Sequence, residues 1–186
     1  KGFSTVQKTD YILARDQHRL ITEVLGKLPH KVYYKTYPMD NRRNADNDPI
    51  LSDIDCASNM EILLDKVDMR YLISKYSIFL TTCATSTVGW LAMSGKPVIF
   101  INQKNNHPLT HDAYVSFSKG LFVFSEDDKD FHIDLRNFLS KSFDEIEKLW
   151  KKKYFFREKM IKDYFSEYKD GGAGKRAAKI ILNKYL

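Results

Sequence analysis

"SIFLTTCATSTVGWLAMSGKPVIFIN", residues 77 to 102, decides the fold. Its apolar, β-branched start "SIFLTT" (77 to 82) predicts a strand. "STVGWLAMSG" (86 to 95) predicts a short helix ended by Gly95, and "KPVIFIN" (96 to 102) a second strand. Parallel strands need a crossover between them, and a helix is the usual one. Between the two apolar runs lie Thr81, Thr82, Thr85, Ser86 and Thr87, a cluster of small hydroxyl residues at the point where strand gives way to helix.

The same alternation continues on both sides. "DYILA" (10 to 14) predicts a short strand. In 15 to 29, Leu20, Ile21, Val24, Leu25 and Leu28 recur at helical spacing and Gly26 and Pro29 mark the end. "KVYYKTYP" (31 to 38) predicts a strand that stops at Pro38. Residues 39 to 58 hold most of the turn formers and predict a long surface loop with room for a short helical turn. "NMEILLD" (59 to 65) predicts a strand, "DMRYLISKY" (68 to 76) a helix capped by Asp68, and "GLFVFS" (120 to 125) a further strand. From about 127 the pattern is helical to the end, with a glycine break in "KDGGAGK" before the last helix. The expected fold is α/β and Rossmann-like: a single domain over 1–186, with a mostly parallel sheet, helices on both faces and a helical C-terminal tail.

Composition sets broad bounds. Hydrophobic residues make up 43% of the 186, enough for a full core, and the 29% charged fraction is that of an ordinary globular chain. The net charge of +6 suits anionic small ligands, acidic membrane surfaces or nucleic acid, and selects none of them. Cys56 and Cys83 lack CxxC spacing, so neither a zinc site nor a disulfide framework is indicated. No apolar run approaches the ~20 residues that span a bilayer, and no signal peptide is visible. The chain opens on "KGFSTVQ" without an initiator Met, so a piece of a larger protein is expected.

In an open parallel sheet, ligands sit beyond the carboxyl ends of the strands. The start of the helix after Thr82 falls there, and a helix N-terminus offers free amides and a positive dipole end to an anion. The hydroxyls of Thr85, Ser86 and Thr87 can add hydrogen bonds, although Ser and Thr are also ordinary caps. Lys35, Thr36 and Tyr37 lie past the end of another strand on the same rim. There a lysine can neutralise a phosphate and a tyrosine can stack on a base or sugar. The polar loop from 102 to 114, with Asn102, His107, Pro108 and Leu109, is a candidate substrate loop. Pro108 between His107 and His111 breaks helical metal-ligand spacing, and no HExxH pattern is present, so no metal and no cofactor is expected. No GxxxxGK[ST], GxGxxG or GxSxG motif is present either. Asp127 and Asp128 are expected to cap the following helix. The basic and aromatic residues of "LWKKKYFFREKMIKDYF" interleave as in nucleic-acid binders. At helical spacing, however, Leu149, Phe156, Met160 and Tyr164 are expected to form a core stripe with a basic outer face, and no nucleic-acid partner is expected.

"KVYYKTYP", "LISKYSIFLTTCATSTVGWLAMSGKPVIFIN" and "KDGGAGKRAAKII" together resemble the C-terminal nucleotide-sugar-binding half of GT-B-type glycosyltransferases of bacterial surface polysaccharides. The closest groups are the Kdo and sialic acid transferases, which use CMP-sugars, and the CDP-glycerol glycerophosphotransferases. The turn "CATST" carries no acidic residue, unlike many relatives of the latter. The resemblance implies that Thr85, Ser86 and Thr87 hold the donor phosphate, that Lys35 neutralises it, and that the loop from Asn102 to Leu109 lies near the nucleotide or sugar. It implies a nucleotide-sugar donor, a glycan acceptor and an inverting, metal-independent transfer in capsule or lipopolysaccharide synthesis. It also implies a catalytic base in an acceptor-binding half outside this chain, and a cytoplasmic place at the inner face of the membrane, met through a basic surface. A non-hydrolysing sugar-nucleotide epimerase and a non-catalytic nucleotide-binding or docking module are the alternative readings of the same architecture.

Overall fold

A computed structural model describes residues 9–36, 49–63, 67–82, 84–103, 106–168 and 170–185. Among these residues five short strands form two parallel sheets. In the first, β1 (Val32–Lys35) pairs with β2 (Met60–Leu63). In the second, β3 (Phe79–Thr81), β4 (Val98–Asn102) and β5 (Phe122–Ser125) lie in the order of the sequence. The α/β class with parallel pairing is therefore as expected. The strand fully buried along its length is the central one, β4, whose five residues are all apolar except the last. This is how a strand covered on both faces should read.

Among the described residues eight α-helices accompany the strands: α1 (Asp10–Arg19), α2 (Pro49–Asp55), α3 (Ser86–Met93), α4 (His111–Gly120), α5 (Phe131–Leu139), α6 (Phe143–Lys152), α7 (Tyr154–Tyr164) and α8 (Ala173–Tyr185). Register puts Phe79, Val98, Phe100 and Val123 on one face of the second sheet and Leu80, Ile99, Ile101, Phe122 and Phe124 on the other. Phe100 meets Phe117 of α4, which in turn meets Phe165 just beyond α7. On the opposite face Phe138 of α5 packs on Phe122 and Phe124. Helices thus cover both faces, and the half-buried Val32, Tyr34, Met60 and Ile62 of the first sheet pack against the same apolar cluster.

Several local expectations need correction. Residues 10 to 14 are helical, not a strand. The Thr9 hydroxyl accepts from the Ile12 amide at 3.4 Å and starts α1 there, and the helical path continues through a π turn (Leu20–Val24) and a 3-10 turn (Leu25–Lys27). The apolar run "YILA" is thus the first turn of the helix that the downstream spacing already announced. Residues 68 to 76 form two 3-10 turns rather than an α-helix, though Asp68 does cap the first by accepting from the Arg70 amide. The loop expected to run through 114 ends early: Thr110 caps α4, which starts at His111. Asp127 and Asp128 do not cap α5; Asp130 occupies the cap position, and no side chain closes it. In the proposed core stripe Met160 is buried, but Phe156 and Tyr164 are exposed; Ile161 and Arg157 take the inner face with Met160.

The "GKPV" segment earns its residues locally. Gly95 sits at φ +79°, a left-handed turn that glycine adopts without strain. The Lys96 ammonium then donates to the carbonyls of Ile73 (2.7 Å), Ser74 (3.2 Å) and Tyr76. It ties the chain entering β3 to the chain entering β4, so this lysine acts at the amino ends of the strands, on the edge of the sheet away from the carboxyl rim. Gly89 allows a close approach on the other side of α3: a Cβ there would lie 2.9 Å from Cδ1 of Phe165.

His132 on α5 gives the fold a pH dependence. Burial, followed by the nearby Arg19 guanidinium, holds its pKa below the ordinary 6.5, while Glu23 at 3.8 Å opposes in part. The unfolded chain therefore takes up a proton at a higher pH than the native one. The contribution is complete above pH 6.5 and is lost as pH falls below that value. His132→Gln is expected to flatten the stability curve in this interval, read by urea denaturation at a series of pH values. An unchanged slope would remove His132 from the account.

Candidate functional site

The carboxyl ends of β3, β4 and β5 define a rim, and α3 begins on it. Thr85 is the cap residue of α3, in an extended conformation (φ −101°, ψ −172°), and its hydroxyl makes no capping bond. Its carbonyl accepts from the Val88 amide at 3.1 Å, but the amides of Ser86 and Thr87 have no acceptor among the described residues. Thr85 and Ser86 are exposed and Thr87 is half-buried. The helices starting at Asp10, His111 and Phe143 each close their first turn with a Thr or Ser hydroxyl, whereas α5 and α7, like α3, have no side-chain cap. At α3 a threonine stands in the right place and does not. As at any helix start, the first two amides, of Ser86 and Thr87, have no intrahelical acceptor; here they lie beyond the carboxyl end of β3, at a dipole end worth about half a positive charge.

The other candidates divide. Lys35 ends β1 at the carboxyl edge of the first sheet and donates to the Thr36 carbonyl at 2.8 Å. The Thr36 hydroxyl donates to the Leu63 carbonyl at 3.2 Å, which locks the end of β1 to the end of β2. Thr36 thus has a structural partner already. Tyr37 lies outside the described residues. Tyr33 and Tyr76, with ring centres 5.1 Å apart, join the first sheet to the segment that enters the second.

The loop after β4 is held from inside. Asn102 is buried, and its Oδ1 accepts from the Leu109 amide at 3.1 Å, so its side chain folds the loop back. His107 adopts φ 53°, a left-handed conformation uncommon for a residue with a side chain, and like Pro108 it faces solvent. Leu109 packs against the core. Within this loop His107 and Pro108 remain outward-facing, whereas Asn102 and Leu109 shape it. Two rim residues escaped the sequence reading: buried Gln103, which donates to Glu126 at 3.3 Å and accepts from Asn106 at 3.0 Å, and Glu126 itself. A polar residue directly after a buried strand was the available signal for Gln103. Glu126 carried none, because its partner is 23 residues away in the chain.

A cavity of about 580 Å³ lies at the other edge, lined by Ser77, Lys96, Pro97, Trp150 and Arg157 among others. Arg157 there is 5% exposed, stacks 3.8 Å from the centre of the Trp150 ring and donates to the Trp150 carbonyl at 3.0 Å, closing the end of α6. Its role is to hold the junction of α6 and α7. Among the described residues no group of three or more His, Cys, Asp and Glu is placed to hold a metal ion, and no helix is long and apolar enough to cross a membrane.

Comparison with protein-family models, with curated proteins and with solved structures gives no match to this chain. The fold defines it as a parallel α/β protein with a Rossmann-like arrangement of helices about its strands.

Proposed function

We propose that the chain is the donor-binding domain of a glycosyltransferase that takes its sugar from a nucleotide-sugar, with a CMP-sugar such as Kdo or sialic acid as the donor class and a glycan as acceptor. One observation carries this reading. The α3 terminus at the carboxyl rim is left uncapped by its own threonine, where a phosphate would find the amides of Ser86 and Thr87 and the hydroxyls of Thr85 and Ser86. Lys35, at the carboxyl end of β1, is the cation proposed to approach the same phosphate. The residues around Thr85 to Thr87 and in "GKPVI" are also those that resemble the surface-polysaccharide transferases.

The chemistry follows from the charge on the leaving group. When the bond from the sugar to the nucleotide phosphate breaks, negative charge grows on the phosphate oxygens. Fixed amides, hydroxyls and a lysine stabilise that charge without reorganising, and removing one such donor typically costs on the order of 2.7–4 kcal/mol in the transition state. This chain supplies the grip on the leaving group; the proposed catalytic base acts from an acceptor-binding half.

Thermal-shift titration with CMP, CDP, UDP and GDP tests the proposal. A rise in melting temperature with the cytidine nucleotides above the others is the expected result, since a ligand that binds only the folded state stabilises it by mass action. Absence of a response to all four would remove the nucleotide reading. A response to UDP alone would move the donor class away from cytidine.

A further inference from the structure

A different part of the molecule carries an inference independent of the donor site. Helix α8 spans 13 residues, "AGKRAAKIILNKY", and none of them is buried. Ile181 and Leu182 are each 55% exposed, and Ile180 and Tyr185 are exposed too. At 100° per residue Ala177, Ile181 and Tyr185 fall on one line along the helix, with Ala178 and Leu182 beside them. Arg176, Lys179 and Asn183 occupy the opposite side, Lys175 and Lys184 border the apolar stripe, and Ile180 stands outside it between Arg176 and Lys184. The helix contains four cationic residues, Lys175, Arg176, Lys179 and Lys184, and no carboxylate. Ahead of it, Asp170 accepts from Arg176 at 2.8 Å, and the Gly172 amide donates to Asp170 at 2.9 Å, so the helix leaves the body of the protein through a defined turn.

An isolated helix of this length is marginal in water, and most helices of this size are stabilised by burying their apolar side. An apolar side flanked by cations, with no acid on the helix, is the charge pattern of an element that lies in the headgroup layer of an anionic bilayer. The basic residues meet anionic headgroups while Ile181, Leu182 and Tyr185 enter the acyl boundary. A protein partner would have to supply an apolar groove ringed by carboxylates to match the same pattern. We propose that α8 is an interfacial helix that docks this protein on a membrane surface containing anionic phospholipid.

Vesicle co-sedimentation tests this, with phosphatidylcholine alone and with equimolar phosphatidylcholine and phosphatidylglycerol. The protein is expected to pellet with the anionic vesicles at least about tenfold more strongly than with the neutral ones, and to lose most of that binding at high salt. Ile181→Asp combined with Leu182→Asp is expected to reduce pelleting to the neutral background. Because both side chains are exposed, the melting temperature should not change, which separates loss of docking from loss of fold. Equal pelleting of the protein and its double variant would overturn the proposal, as would absence of binding to the anionic vesicles. A concentration-dependent dimer in light scattering, dissolved by the same two substitutions, would assign the face to a second copy and overturn it as well.

Discussion

Trp150→Ala is expected to be the most damaging single substitution in the described fold. The indole is 2% exposed, its Nε1 donates to the Gly95 carbonyl at 2.7 Å, and its ring lies between Phe122 and the Arg157 guanidinium. Truncation removes a large buried ring and leaves a cavity, a loss of about 3–5 kcal/mol in cores of this kind. It also uncovers the Gly95 carbonyl and takes the stacking surface from a guanidinium already held below its ordinary pKa by burial. At roughly 2–4 °C per kcal/mol for a chain of this size, the melting temperature should fall by about 10 °C. Trp150→Phe keeps most of the apolar volume but not the donor, and its loss should be smaller, on the order of 1–3 kcal/mol for the carbonyl left without its partner. Circular dichroism melts of the three proteins check the ranking; a shift below about 2 °C for the alanine variant would show that α6 is not anchored through this ring.

Thr85→Asp should move stability and ligand binding in opposite directions. The present threonine makes no capping bond, so an aspartate at the same backbone position can accept from the first-turn amides and complement the dipole. That should stabilise the protein by about 0.5–1 kcal/mol. The carboxylate would occupy the amides proposed for the phosphate and repel it. Nucleotide affinity is therefore expected to fall at least about tenfold, equivalent to roughly 1.4 kcal/mol. A turn whose only task is to start a helix would gain stability and lose nothing. Isothermal titration with the nucleotide that gives the largest thermal shift, alongside denaturant melts, reads both quantities on the same samples. Unchanged affinity in a stabilised variant would exclude the α3 terminus as the phosphate site.

The two substitutions act at opposite edges of the sheet. Trp150 and Lys96 hold the amino ends of β3 and β4, whereas the candidate donor residues lie beyond the carboxyl ends. In parallel sheets one edge can be committed to stability while loops at the other vary. The α6–α7 junction and the "GKP" segment form the first of these edges here.

Much of the fold was legible from periodicity because the relevant signals are local. The runs "SIFLTT", "KPVIFIN" and "GLFVFS" contain β3, β4 and β5, and Gly95 ends α3 at a positive φ as its chemistry demands. The helix from 111 to 120 was missed because only Ala113 and Phe117 among its side chains are buried, while the apolar Val115 faces outward and blurs the helical period. The strand assigned to "DYILA" failed for the opposite reason, since a five-residue apolar run fits either period until the cap at Thr9 decides.

What the amino-acid order determined alone was the alternation of strand and helix, hence a parallel α/β class, and the placement of small hydroxyl residues where β3 passes into α3. Those follow from side-chain shape and from periods of 2 and 3.6, which act over a few residues. Tertiary structure decided which polar groups were already used. It gave the Thr36 hydroxyl to Leu63, the Asn102 amide oxygen to Leu109 and the Lys96 ammonium to the carbonyls before β3, and it kept the Thr85 hydroxyl out of the cap of α3. A hydrogen bond depends on the meeting of two groups in space, and in two of these three cases the partners stand more than 20 positions apart along the chain.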